Sequence, residues 1–207
     1  YCPRMDIDDT PVLDNHLHLD PVNGRNVAAV EEFASQGGTH LLVLNKPSWH
    51  LVEKATGAAT FREVFDLTVE AAAAATDVLD GRAWPVLGVH PALISKLVGD
   101  GHTPPEARDI MQTGLDVAAE YAADGRALAM KSGRPHYDVD DAVWDASNDV
   151  MCHGFERAAD VGCAMQLHTE GGEDFEDVAR WAEQRGLDRT QVVKHYSGGR
   201  LRGPVKS

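Results

Sequence analysis

Long apolar runs are missing from this sequence of 207 residues. Nothing approaches the ~18 consecutive apolar residues of a membrane span. The alanine run at 71–75 is closed off by Glu70 and Asp77, so no membrane anchor is expected. Residues 1–9 lack the basic-then-apolar pattern of a secretory signal, which makes the cytoplasm the expected location. Cysteine is scarce as well: Cys2, Cys152 and Cys163 form an odd set without the short spacings of zinc clips or redox pairs, and all three read as reduced thiols. Positive charge is the third deficit. Nineteen basic residues, only 6 of them Lys, stand against 33 acidic ones, for a net charge of -14. A field of that sign repels nucleic-acid backbones unless a metal or a local basic patch offsets it, which argues against non-specific DNA binding. The acidic excess is spread along the chain and not gathered in a tail, the pattern a salt-loving cytoplasm selects for solubility.

What is present is a regular alternation of short apolar segments with longer amphipathic ones. Strands are expected at 12–17, 40–44, 84–89, 127–130, 164–167 and 192–195, with helices at 27–36, 60–79, 105–122, 141–159 and 175–184. Strand, helix, strand at this regularity implies a parallel α/β sheet, because parallel neighbours need a crossover connection. The segment Thr103-Pro104-Pro105-Glu106 is a helix start, and Gly125, Gly162 and Gly186 stand where helices should stop. No repeat, linker or low-complexity tract interrupts the pattern. One domain over residues 1–207 is expected.

Histidine falls at the carboxyl ends of four of the six expected strands. The first ends in Asp14-Asn15-His16-Leu17-His18, the third in Gly88-Val89-His90-Pro91, the fifth in Gln166-Leu167-His168-Thr169 and the sixth in Val193-Lys194-His195-Tyr196. Strand residues two apart share a face, so His16 and His18 can aim both imidazoles at one metal while Leu17 packs away. Packing does not explain four histidines on one rim, and in barrels and open parallel sheets that rim carries the chemistry. His40 starts its strand and lies at the wrong end; His50, His102 and His153 read as surface residues. The fourth strand brings Lys131 to the same rim, followed by Gly133-Arg134-Pro135-His136-Tyr137. A cation beside clustered histidines should repel metal unless it is neutralised or converted. Two readings stand: a lysine of lowered pKa that takes up carbon dioxide to form a metal-bridging carbamate, or a lysine aimed at a substrate phosphate or away from the site. Arg134 and His136 read either as ligands of an anionic group outside the metals or as surface loop residues. Asp14 reads as a group orienting His16 or a water, or as a strand-end cap. The four tryptophans read as core or packing residues.

These motifs, with Leu19-Asp20 after the first and Ser197-Gly198-Gly199 after the last, resemble in order and spacing the TatD-related metal-dependent hydrolases of the amidohydrolase superfamily. The nearest likeness is to an archaeal TatD-like branch, and with the charge pattern it implies a halophilic archaeon. The resemblance runs from about Val12 to the last residue and implies a TIM-type (β/α)8 barrel, cut short after the sixth strand. It implies one or two divalent metals (zinc, manganese, nickel or magnesium) at the carboxyl rim. His16 and His18 match the ligands of one metal, His168 and His195 those of the other, and His90 matches a position near the substrate's phosphate. Lys131 stands at or near the family's bridging Glu, which implies either a carbamylated lysine, as in phosphotriesterase-like and lactonase-like relatives, or a weakened single-metal site.

The activity so implied is hydrolysis, with metal-activated water attacking a phosphodiester, as in a deoxyribonuclease, or a related ester or amide. Lys131 and Asp14 are the catalytic candidates. The family's last metal-binding Asp follows a later strand and has no counterpart before Ser207, so this stretch is expected to turn over poorly alone. The expected partner is a small phosphorylated or ester substrate, or a DNA end. The reading from another class is a barrel that binds metal without turnover, or that assembles as a homo-oligomer through the open edges of its first and sixth strands. The polymerase-and-histidinol-phosphatase group also begins with His-x-His, but the segment from His195 to Gly199 argues against it.

Overall fold

Parallel pairing obliges each strand to be followed by a crossover, and this chain supplies a helical one every time. A computed structural model describes residues 10–54, 56–171 and 175–195. The order is β1 (Leu13–Leu17), α1 (Val27–Ser35), β2 (His40–Leu44), α2 (Ala58–Val78), β3 (Ala83–Gly88), α3 (Leu93–Gly99), α4 (Pro104–Ala123), β4 (Ala129–Gly133), α5 (Asp141–Val161), β5 (Ala164–His168), α6 (Glu176–Gln184) and β6 (Val192–Lys194), with 3-10 turns at Ser48–His50 and Arg189–Gln191. The six strands lie in sequence order and all neighbours run parallel, the first six-strand arc of a TIM-type α/β fold. All six strands and five of the six helices follow the sequence pattern. The sixth, α3, was not anticipated: seven residues directly after Pro91 bury Leu93, Ile94 and Leu97. The helix stops are as expected, with Gly162 in the left-handed conformation that closes α5. Thr103 and Glu106 cap α4 reciprocally. Cys2 and Tyr196-Ser197-Gly198-Gly199 lie outside the described residues; Cys152 and Cys163 are free thiols.

Strand alternation divides the side chains between two faces. The outer face packs against the helices, where Leu87, Met130, Met165 and Leu167 meet Phe61, Phe65, Leu115, Met151 and Phe155. Each fully buried side chain of this kind contributes about 1.5–3 kcal/mol relative to exposure. The inner face carries a smaller apolar plug: Leu44, Val86 and Ala129, with Leu42 and Ala164 against them. Two residues further along the same face stand Gly88, Lys131 and Gln166, and two beyond Gln166 stands His168. The plug therefore forms the floor of the site. At the opposite end His40 stacks on Trp84, 6.2 Å between centroids, which keeps it away from the rim.

The sheet curls until its two edge strands meet at the rim. His16 of β1 and His195, just past β6, have ring centroids 3.9 Å apart. Two glycines allow the strands between them to approach closely. A Cβ on Gly88 would lie 1.9 Å from the carbonyl oxygen of Lys131, and one on Gly133 would lie 1.8 Å from that of His168. Gly88→Ala is expected to destabilise the fold by about 3 kcal/mol, the upper part of the overpacking range. Gly99→Ala, where nothing lies within 4 Å, serves as the control and should be neutral or slightly stabilising. Urea denaturation of both variants checks the contrast.

Candidate metal centre at the carboxyl rim

The His-x-His strand carries an irregularity that alternation alone does not reveal. Asp14 pairs with Leu41 and Leu17 pairs with Val43, so three residue steps on β1 face two on β2. The extra residue is a bulge. It sets Asp14 in register with Leu41, whose side chain packs on the helix side, while His16 turns inward. The Asp14 carboxylate accepts the backbone N–H of His16 at 2.9 Å and makes no bond to its ring. Asp14 thus caps the bulge, and the orientation of the imidazole falls to another residue.

That residue is Gln166. Its Nε2 donates to the backbone oxygen of Asn15 at 2.7 Å, and its Oε1 lies 2.6 Å from His16 Nδ1. His18 Nδ1 lies 3.0 Å from the Leu44 carbonyl oxygen. Because a carbonyl oxygen only accepts, Nδ1 carries the proton in both rings and the lone pair resides on Nε2. His90 is the reverse. The backbone N–H of Ala92 donates to its Nδ1 at 3.1 Å, so Nε2 bears the proton and His90 is a donor. The Trp49 and His90 rings pack near-perpendicular, with centroids 5.7 Å apart.

His168 sits at the hub of the remaining rings. Its Nδ1 is 3.2 Å from His195 Nε2, and its Nε2 is 3.1 Å from His136 Nδ1. The His195 Nδ1 is buried and has no partner among the described residues. Lys131 is buried beside Gln166 on the neighbouring strand, and among the described residues its Nζ makes one hydrogen bond, to the Asn45 carbonyl oxygen at 2.7 Å. The Asn45 side chain is in turn bonded to both backbone groups of Gly88. A small concavity is lined by His16, His90, Lys131, Gln166 and His168 with Pro91 and Ser132.

Arg134 occupies a different environment. Its Nε donates to both carboxylate oxygens of Glu170 at 2.8 and 2.9 Å, Asp177 lies 3.4 Å away, and its guanidinium lies over the rings of Trp144 and Trp181. A group so engaged has little capacity left for an added anion. Lys46 pairs with Asp20, and Lys194 lies over Phe175 and donates to the Glu170 carbonyl.

Among the described residues no three His, Cys, Asp or Glu side chains already stand in a chelating arrangement. The donor chemistry fits a divalent cation nonetheless. His16 and His18 hold free Nε2 lone pairs, and their Nδ1–H groups are anchored as the second shell of a metal site requires. His195 Nδ1 is an orphaned polar atom that a ligand would satisfy. Sequence reading placed His16, His18, His90, Lys131, His168 and His195 together, and they do converge; His136 joins at the margin, whereas Arg134 and Asp14 are held by other partners. Gln166, Asn45 and Trp49 were not anticipated. Gln166 carried a usable signal: it is a polar residue in an apolar strand, two positions before His168 and hence on its face.

Burial keeps these rings neutral. Desolvation, helped by neighbouring cations, pushes His16, His18, His168 and His195 down to about 4 and His90 to about 3, and desolvation alone lowers Lys131 to about 7. In the unfolded chain the same histidines bind protons near pH 6.5. Below that pH the unfolded histidines bind more protons than the folded ones, so their contribution to stability is full above 6.5 and is lost as pH falls towards 4. Urea midpoints measured from pH 7.5 to 4.5 should decline through this window. A flat profile would show that the rings are charged in the folded protein.

The family described as TatD related DNase matches residues 13–203. An uncharacterized protein of Methanocaldococcus jannaschii is 31% identical over 193 residues, covering 91% of this chain and 66% of the relative, so the chain spans about two thirds of that protein's length. Among solved structures, a triple mutant of an organophosphorus hydrolase from Deinococcus radiodurans is 15% identical with a TM-score of 0.43, over 81% of this chain and 46% of the other. An HpcH/HpaI aldolase from Desulfitobacterium hafniense is 11% identical with a TM-score of 0.36, over 89% and 85%. The family match takes in all six strands and each histidine of the rim. The chain belongs to the TatD-related DNase family.

Proposed function

We propose that the protein is a metal-dependent hydrolase of phosphodiesters or related esters, with His16, His18, His168 and His195 as the ligands of one or two divalent cations. The observation that carries this reading is the opposition of tautomers at one rim. His16 and His18 present lone pairs, and His90 presents an N–H. A cation held there would polarise the substrate and acidify water. His90 donates its Nε2–H to a substrate oxygen as negative charge builds on it, with the ring held by the Ala92 N–H and the Trp49 ring. Lys131, whose pKa of about 7 leaves much of it as the free amine at neutral pH, lines the same concavity as His16, His90 and His168 and is the candidate base. A second reading of Lys131 is favoured by the single hydrogen bond it makes among the described residues: the amine adds to carbon dioxide, releases a proton and supplies a bridging carbamate.

A small phosphorylated or ester substrate, or a DNA end, suits the rim better than long DNA. Lys46, Arg134 and Lys194 are engaged by Asp20, by Glu170 with Asp177 and by Phe175, and the net charge is -14. The same charge supports a cytoplasmic setting of high salt, as in a halophilic archaeon. Assembly of copies through β1 and β6 is supported by the exposure of Leu13 and Val193 on those edge strands.

Elemental analysis of the protein, beside His16→Ala and His168→Ala, tests the reading. Near-stoichiometric metal in the native protein, lost in both variants, is expected. His90→Gln should keep its metal and lose about 10²–10³-fold in hydrolysis of a model phosphodiester. A carbamate signal from ¹³C-bicarbonate in the metal-loaded protein would select the carbamylated form of Lys131. Native protein that takes up neither zinc nor manganese would overturn the proposal.

A further inference from the structure

We infer that Gln166 is the positioning residue of His16, acting as a strap that converts a fixed backbone carbonyl on β1 into a fixed lone pair on the imidazole. The inference rests on the reading of His16 as a metal ligand. A glutamine amide has two interchangeable ends, and X-ray density or sequence alone would leave their orientation open. Here the partners decide it. One end faces the Asn15 oxygen at 2.7 Å, and that oxygen can only accept, so the end facing it is the NH₂ group. The other end is then the oxygen, and at 2.6 Å from His16 Nδ1 it can only accept in turn. His16 must protonate Nδ1 and expose the lone pair of Nε2.

The strap also links residues 151 positions apart, from β5 across the mouth of the curled sheet to the bulged part of β1. The bulge matters because it frees the Asn15 carbonyl to point inward, where the ladder would otherwise use it. His18 needs no such device: the neighbouring strand offers the Leu44 carbonyl directly. Among the described residues β1 is hydrogen-bonded to one strand only, β2, whose Leu44 carbonyl serves His18, so the inward-turned His16 is oriented from across the sheet. A side chain reaching across from β5 fills that role. Gln166 is 5% exposed and both ends of its amide are satisfied, which makes the arrangement rigid.

The test begins with ¹⁵N NMR of the histidine ring nitrogens in the metal-free protein, assigned with His16→Gln. Native His16 is expected as the Nδ1–H tautomer, and observation of the Nε2–H form would overturn the inference without any variant at position 166. Gln166→Met, close in shape but without the acceptor, should mix the two tautomers and weaken zinc binding about 10–100-fold in competition with a chromophoric chelator. Gln166→Glu keeps an acceptor for Nδ1 but turns a carboxylate oxygen towards the Asn15 carbonyl; it should retain the Nδ1–H tautomer, with zinc affinity between those of the native and Met forms because the anchored end of the strap is lost. A Met variant that retains native tautomer and affinity would reduce Gln166 to a packing residue. Native protein with His16 in the Nδ1–H form but no affinity for zinc would uphold the strap as an orienting device and refute the metal reading alone.

Discussion

Backbone carbonyls accept hydrogen bonds and never donate them, and the rim of this protein is organised by that one-way rule. The carbonyls of Asn15, Leu44 and Asn45 each face a polar side chain: the buried Gln166 amide, the His18 ring and the buried Lys131 amine. Each contact removes a choice. Gln166 cannot flip, His18 cannot change tautomer, and Lys131 is held at the edge of the histidine cluster with no carboxylate to stabilise its charge among the described residues. In a buried setting an unpaired polar atom costs about 1–3 kcal/mol, so these roles are enforced by stability as well as by geometry.

The sheet makes those contacts possible. Parallel strands in sequence order bring all their carboxyl ends to one side, and the curl of the sheet sets β1 opposite β5 and beside the end of β6. Gly88 and Gly133 lie where strands carrying Lys131 and His168 press against their neighbours, and neither position has room for a Cβ. Beneath the polar layer, Leu44, Val86 and Ala129 close the interior and desolvate the groups above. Desolvation is the largest cause of the depressed pKa values of the five histidines and Lys131, and it favours neutral imidazoles at His16 and His18, whose lone pairs could be offered to a cation.

Much of this was legible in the sequence because it depends on period. Apolar alternation located the six strands, the Thr103 to Glu106 box located the start of α4, and the recurrence of histidine at strand ends located the rim. What escaped was set by tertiary contact. The bulge at Asn15-His16 shifts Asp14 out of the histidine face, and no feature of the pattern 14, 16, 18 announces an extra residue. Arg134 looked free to bind an anion because its partners, Glu170 and Asp177, are 36 and 43 residues away in sequence. Gln166 stands out only as a polar residue within an apolar strand, and its partner Asn15 is brought to it by the curl of the sheet; Asn45 meets Gly88 through the pairing of β2 with β3. The short helix α3 follows a histidine-proline motif and is too brief for periodicity to separate from loop.

The central claim is that neutral, pre-oriented imidazoles at this rim are metal ligands through Nε2. Anomalous diffraction at the zinc edge, from crystals of the protein grown with zinc, tests it most directly. The account predicts an anomalous peak ~2.0–2.1 Å from Nε2 of both His16 and His18. A peak bound through Nδ1, or one placed away from this pair, would contradict it.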